Sequence, residues 1–354
     1  MKAQNQEMTK DKNRRFILKL ILCKPQMTRI ALSKITGLTK MAVSNIINGL
    51  IDENFVKEAG LGDTSLGRKP VVLEVVDRCA VFLGCYISRS HIYAVAGDLK
   101  GNELYADQLP LHDETNDSLM KKIYTLLDAM REKTAGDNVV SIGVTSIGPL
   151  DAKSGILLNP PNFFHVKNLP ITALLTARYR LPAYLENDMN AGALAEMYFG
   201  KARDISDFIY LGVGTGIGAG CVSNFMLYQG EKGMGGEIGH ITVDVNGPVC
   251  SCGNVGCLEL YALLHEDGTN DLKTICRYLS TGVVTLINLF DPQCVYIGDA
   301  IANYGQQAVD YIKENIKGRY ISSSFKDVEI ALSQFGDRSS IIGAVALGVS
   351  KMLD

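Results

Sequence analysis

The sequence predicts an α/β protein in two parts: a winged helix-turn-helix head over residues 1–78 and a larger α/β body over 79–354. Three features carry this division. Apolar residues run at helical spacing up to about residue 53, then switch to alternation and to helix–strand units from Ala80 onward. Charge divides near the same place. Residues 1–70 hold thirteen Lys and Arg against six Asp and Glu, a net of +7, while the remainder of the 354-residue chain carries −10. Finally, each half of the body opens with a glycine-containing hairpin and continues with helices and strands.

In the head, Phe16, Ile17, Leu20 and Ile21 give Arg14–Cys23 one apolar face, and Pro25 ends that helix. Thr28 is placed to cap a second helix from Arg29 to about Thr36. Gly37 breaks it, and Thr39 caps a third from Lys40 to about Glu53, with Val43, Ile46, Ile47 and Leu50 on its inner face. Phe55–Glu58 and Val71–Glu74 alternate like two strands around the Gly-rich basic loop Gly60–Pro70.

In the body, Val81–Ile87, Ile92–Ala96 and Asn102–Leu109 read as strands, Ser118–Lys133 as an amphipathic helix and Val139–Ser146 as a buried strand. Ala183–Leu185 feeds a helix from about Met189, which Asp188 is placed to cap. Phe208–Val213 and Ile217–Val222 flank Gly214-Thr215-Gly216. The remaining elements are a helix over Leu272–Phe290, a strand over Cys294–Ile297, a helix over Asn303–Lys317, a strand over Val328–Leu332 and a last helix over Ser339–Met352.

A 47% hydrophobic and 21% charged composition suits a soluble globular protein. No apolar run is long enough to span a bilayer, and the polar, charged N-terminus is unlike a signal peptide. A cytoplasmic protein without a membrane partner is expected.

A cationic head with a helix-turn-helix pattern points to double-stranded DNA. Lys40, Met41, Ser44 and Asn45 lie off the apolar face of the third helix, where short polar and basic side chains would reach base edges. Thr39 sits where helix N–H groups would hold a phosphate. Arg68 and Lys69, in Gly67-Arg68-Lys69-Pro70, form a basic strap suited to the backbone or the minor groove. A protein-docking three-helix bundle with a solvated basic surface is the alternative.

Of nine Cys, three cluster as Cys250-x-Cys252-x4-Cys257, ten residues after His240. One imidazole and three thiolates make a closed tetrahedral shell, the donor set of a structural zinc site. The odd count in a chain without a signal argues against a disulfide framework.

The segments Gly236-Glu237-Ile238-Gly239-His240 and Cys250-Ser251-Cys252-Gly253-Asn254-Val255-Gly256-Cys257-Leu258-Glu259 resemble the ROK family (repressors, open reading frames and sugar kinases), in its xylose-repressor and N-acetylglucosamine-repressor branch. The resemblance covers nearly the whole chain. It implies an actin-like, ribonuclease-H-like body of two lobes with a sugar between them, and sugar contacts from Asn162, Asn187, Asp188, Glu237, His240 and Glu259. Carboxylates and amides are chemically suited to vicinal hydroxyls. His240 would ligate zinc through one nitrogen and serve the sugar through the other.

The kinases of that family carry an Asp-x-Gly-Gly-Thr phosphate turn after the first body strand. Here the equivalent run is Gly84-Cys85-Tyr86-Ile87-Ser88-Arg89-Ser90, with Tyr86 in the Asp place and Ser88 and Arg89 for the two Gly. Bulk then stands where backbone should meet phosphate, and a carboxylate is lost. The Gly212–Gly218 hairpin keeps its glycines. The stretch Leu260–Leu272 is shorter than the helical insertion the family implies. The expected protein is therefore not an enzyme but a sugar-responsive repressor of carbohydrate-utilisation genes, a homodimer or homotetramer on operator DNA with a monosaccharide or sugar phosphate as effector. An ATP-dependent sugar kinase with an atypical phosphate loop is the enzyme alternative, and a ligand-free DNA-bound scaffold the third.

Overall fold

The structure, a computed structural model, describes residues 6–61, 71–161, 163–264 and 271–354. The head contains α1 (Gln6–Cys23), α2 (Arg29–Thr36), α3 (Lys40–Asp52), β1 (Val56–Leu61) and β2 (Val71–Val75). The Thr28 hydroxyl accepts the Ala31 N–H at 3.1 Å and that of Thr39 accepts the Ala42 N–H at 3.2 Å, so both predicted caps form. Gly37 ends α2 in the left-handed conformation at φ 69°. Val43, Ile47 and Leu50 are fully buried, and β1 and β2 pair antiparallel with Val56 opposite Val75. Helix α1 starts eight residues before the predicted Arg14, because its first turns are polar and leave no apolar period to read.

The first lobe runs β3 (Val81–Ile87), β4 (His91–Asp98), β5 (Glu103–Pro110), α4 (Asn116–Lys133), β6 (Val139–Ser146), β7 (Leu150–Asp151), β8 (Ile156–Leu157), α5 (Ile171–Tyr179), β9 (Ala183–Asn187) and α6 (Asp188–Tyr198). The second runs β10 (Phe208–Val213), β11 (Ile217–Ser223), β12 (Met226–Tyr228), α7 (Glu259–Ala262), α8 (Leu272–Phe290), β13 (Cys294–Gly298), α9 (Gln306–Ile316), β14 (Glu329–Leu332) and α10 (Ser339–Leu353). The sheets are ordered β5-β4-β3-β6-β9 and β12-β11-β10-β13-β14, one strand order used twice. The last predicted helix but one is shorter than Asn303–Lys317. A 3₁₀ turn covers Ala300–Tyr304, and Gly305 at φ 60° separates it from α9.

Helices α6 and α10 cross between the lobes at van der Waals distance. A methyl added at Gly343 would meet the Ala191 carbonyl oxygen at 2.4 Å, so only glycine permits the crossing. Ile17, Leu18, Leu32, Val43 and Leu50 of the head share one apolar core with Leu194, Met197 and Tyr198 of α6 and Val345, Val349 and Leu353 of α10. Polar contacts close the same junction: Lys19 Nζ lies 3.0 Å from Asp354 Oδ1 and 5.2 Å from the centre of the Tyr198 ring, and Lys24 pairs with Asp204 at 2.8 Å. Among the described residues, no helix is long and apolar enough to cross a membrane.

Candidate ligand cleft, metal knot and recognition helix

A cavity of about 1750 Å³ lies between the two sheets and draws its walls from both lobes. Parallel pairing of β6 with β9 brings Asn187 and Asp188 to its floor. The α6 cap is Asn187 and not Asp188, which corrects the capping role read from sequence. Asn187 Oδ1 accepts the N–H groups of Met189 and Asn190 at 2.9 and 3.3 Å. Asp188 sits one position inside the helix, accepts the Met189 N–H at 3.0 Å, and is 5% exposed. Burial pushes its carboxyl up to about 7, helped by the nearby carboxylates of Asp299 and Glu237. Beneath it, buried Glu186 accepts the Asn187 N–H at 3.0 Å and the Asn190 amide at 2.9 Å, and reaches Gln229 of the second lobe.

The second lobe contributes Glu237, His240 and Glu259 to the opposite wall. Glu237 precedes the 3₁₀ turn Ile238–His240, and its carboxyl is raised by desolvation. Glu259 opens α7, and its Oε2 accepts the Ile217 N–H at 3.1 Å, which pins the Gly214–Gly216 hairpin to the end of the cysteine loop. That hairpin closes on itself through the Gly214 N–H and the Gly216 carbonyl at 3.0 Å.

Sequence reading passed over Asp299. It follows β13 at φ 65° and ψ −158°, a backbone region normally left to glycine, and its Oδ1 accepts the Ala300 N–H at 2.8 Å. Its Oδ2 lies beneath the hairpin, where a methyl on Gly214 would come within 2.5 Å. The signal lies in the register of two strands distant in sequence, Gly212 opposite Gly298, which no local pattern reveals. Across the cleft, the Tyr86 ring stacks on Tyr93 at 5.8 Å, and the Ser88 hydroxyl organises the β3–β4 turn by accepting the His91 N–H at 3.0 Å. The Arg89 guanidinium turns aside to donate to the Pro161 carbonyl at 2.8 Å. Asn162 lies outside the described residues.

The four sequence-predicted metal ligands converge. The donor atoms of His240, Cys250, Cys252 and Cys257 all lie within 4.8 Å of one another. His240 Nδ1 is 3.8 Å from Cys250 Sγ, and Cys252 Sγ is 3.7 Å from Cys257 Sγ. The loop that carries them needs glycine: Gly253 and Gly256 have φ of 93° and 61°. Burial and the neighbouring thiols push the Cys257 thiol up to about 12, while hydrogen bonds from the Cys252 backbone and adjacent side chains outweigh burial at Cys250 and bring it down to about 7. A soft nitrogen–sulfur set gathered this closely fits a divalent metal.

On the head, Thr39, Lys40, Met41 and Asn45 are exposed along the start of α3, with Met41 75% accessible. Ser44 is half-buried, and its carbonyl accepts from Arg29 at 3.2 Å. The strap bearing Arg68 and Lys69 and the segment 265–270 lie outside the described residues. After Glu259 only the single turn of α7 precedes that segment, and α8 resumes at Leu272.

Two sheets of identical order, a carboxylate-lined cleft between them and crossed helices behind define an actin-like protein of the sugar-kinase type. The ROK family model matches residues 82–263 and 265–351. The chain belongs to the ROK family. It is 30% identical over 384 residues to the xylose repressor of Bacillus subtilis strain 168, covering 100% of this chain and 99% of that one. To the N-acetylglucosamine repressor of Escherichia coli O157:H7 it is 27% identical over 390 residues, covering 99% and 95%. A crystal structure of a ROK family transcriptional regulator, described as a homologue of the E. coli MLC protein, superposes with a TM-score of 0.82 at 26% identity, over 98% of this chain and 97% of that one. The likeness to these regulators thus includes the head, which lies outside the family model.

Proposed function

We propose that this chain is a sugar-responsive transcriptional repressor of carbohydrate-utilisation genes. Residues 1–78 bind operator DNA through Thr39, Lys40, Met41, Ser44 and Asn45, with Arg68 and Lys69 following the phosphate backbone. Residues 79–354 bind a monosaccharide through Asn187, Asp188, Glu237, His240 and Glu259, with Asn162 beside them. The xylose and N-acetylglucosamine repressors that it matches over nearly their whole length support this reading. The observation that carries it is that α6 begins at Asp188 in the cleft and ends at Tyr198 against Lys19 of α1. Helix α10 likewise runs from Ser340, which donates to the Asp188 carbonyl at 3.3 Å, to Asp354 beside Lys19. Two rigid helices join the ligand floor to the head, so a change in lobe arrangement would move the recognition helix.

His240, Cys250, Cys252 and Cys257 would hold a structural zinc ion. Zinc would supply charge neutralisation for the thiolates and fix the Glu237–Glu259 wall, leaving the second His240 nitrogen for the ligand. The working unit is a homodimer, or a dimer of dimers, on a two-fold operator in the cytoplasm. No phosphoryl transfer is assigned to it, because Tyr86, Ser88 and Arg89 occupy the phosphate turn.

The test is fluorescence anisotropy with duplex from upstream of the chain's own operon, titrated with xylose, glucose, allose and N-acetylglucosamine. One sugar should shift operator affinity about 5- to 150-fold. The rival reading, a sugar kinase, has one feature in its favour: Asp188 titrates near neutrality, as a general base for a sugar hydroxyl should. Coupled ADP release with the same sugars separates the two. Saturable turnover without operator binding overturns the repressor.

A further inference from the structure

We propose that the cleft takes an uncharged sugar and refuses its phosphate ester, and that Asp299 sets this preference. The inference rests on the carbohydrate reading of the cleft given above.

Five carboxylates besides Asp188 line the same cavity: Asp107, Glu237, Glu259, Asp299 and Asp337. Two arginines face these carboxylates: Arg338 pairs with Glu103, and Arg89 is turned aside to donate to the Pro161 carbonyl. Three backbone donors beside the hairpin are also taken: the Gly214 N–H by Gly216, the Ile217 N–H by the Glu259 carboxylate, and the Ala300 N–H by Asp299 itself. The groups whose charge acts most strongly on Asp188 are the carboxyls of Asp299 and Glu237, and both disfavour its ionised form. A sugar hydroxyl brings a proton to such a site and donates it to a carboxylate. A phosphate ester at that hydroxyl brings no donor and places up to two negative charges beside Asp188 and Asp299. Asp299 holds its position at a backbone angle that disfavours any side chain, φ 65° with ψ −158°. Its carboxylate fills the space under Gly214, so a phosphoryl group brought against that hairpin would meet a like charge.

The experiment is titration calorimetry of the full chain with xylose, glucose, N-acetylglucosamine, glucose 6-phosphate, N-acetylglucosamine 6-phosphate and magnesium ATP. One neutral sugar is expected to bind, with any phosphate ester at least about 100-fold weaker, the scale of a like-charge clash in a desolvated cleft. Asp299→Gly keeps the backbone angle at ease and removes the charge, and should narrow that ratio by about tenfold or more. Asp299→Asn, which keeps the shape, should do the same. An ester that binds the wild type as tightly as its parent sugar overturns the inference while leaving the carbohydrate reading intact. Unchanged ratios in both variants overturn the role of Asp299. If no sugar or ester binds, the carbohydrate reading fails, and this inference with it.

Discussion

The two lobes repeat one strand order but are furnished in opposite ways. In the first, the β3–β4 turn is built from Ser88 and Arg89, with Tyr86 and Tyr93 stacked behind it. In the second, the equivalent β10–β11 turn is Gly214-Thr215-Gly216, held from below by Asp299 and from the side by Glu259. The first lobe carries Asp188 on a helix that runs to the head. The second carries the His240–Cys257 metal-ligand cluster and most of the acidic wall. On the proposed reading, one sheet order serves signal transmission on one side and ligand selection on the other. Function is carried by what the turns and helix ends present, and the strands position it.

The contrast can be broken most severely in the second lobe. Cys257→Ser should remove the metal and loosen the loop from His240 to Glu259; plasma emission should fall from one zinc per chain toward none, with a lower melting temperature. Glu259→Ala should weaken sugar binding about 10- to 100-fold by calorimetry while operator affinity without sugar stays unchanged, because α3 is remote from α7. A first-lobe change should instead act through protonation. An Asp titrates near 3.9 when unfolded, and Asp188 near 7 when folded. The native state therefore holds an extra proton between those values. Stability falls as pH rises through that window, and the loss is complete above it. Asp188→Asn should gain about 1–3 kcal/mol over the wild type on going from about pH 4.5 to about pH 8, read by urea melts at both. The smallest effect belongs to the junction. Lys19→Met should leave sugar affinity alone and shrink the sugar-induced change in operator affinity by about 0.5–2 kcal/mol. If Lys19→Met alters sugar affinity itself, the division of labour between the lobes is wrong.

Most of this architecture is legible in the sequence, for physical reasons that vary along the chain. Val81–Ile87, Val139–Ser146 and Leu272–Phe290 coincide with the observed elements because each is long, apolar and sharply bounded. Thr28, Gly37 and Thr39 could be read singly, since a cap acts within a few residues. The His240–Cys257 metal-ligand cluster was equally local. Helix α5 and strands β7, β8 and β12 escaped because two or three residues carry no period, and α5 buries only Ile171 and Leu175. The cleft was legible where a motif placed it and opaque where only folding assembles it. Asp188 and Glu259 announce themselves, whereas Asp299 and Glu186 matter through strands and side chains far away in the chain. Assigning the α6 cap to Asp188 was one residue out because Asn and Asp cap equally well, and the end of β9 decides between them.

The apolar core shared by the head, α6 and α10 carries an obligation as well as a connection. Linkage through a common scaffold is symmetric. If a bound sugar weakens operator binding by some factor, the operator must weaken sugar binding by the same factor. A promoter occupied by this protein would thus hold a less sensitive sugar sensor than the free protein, and the threshold for induction would rise with the strength of the site.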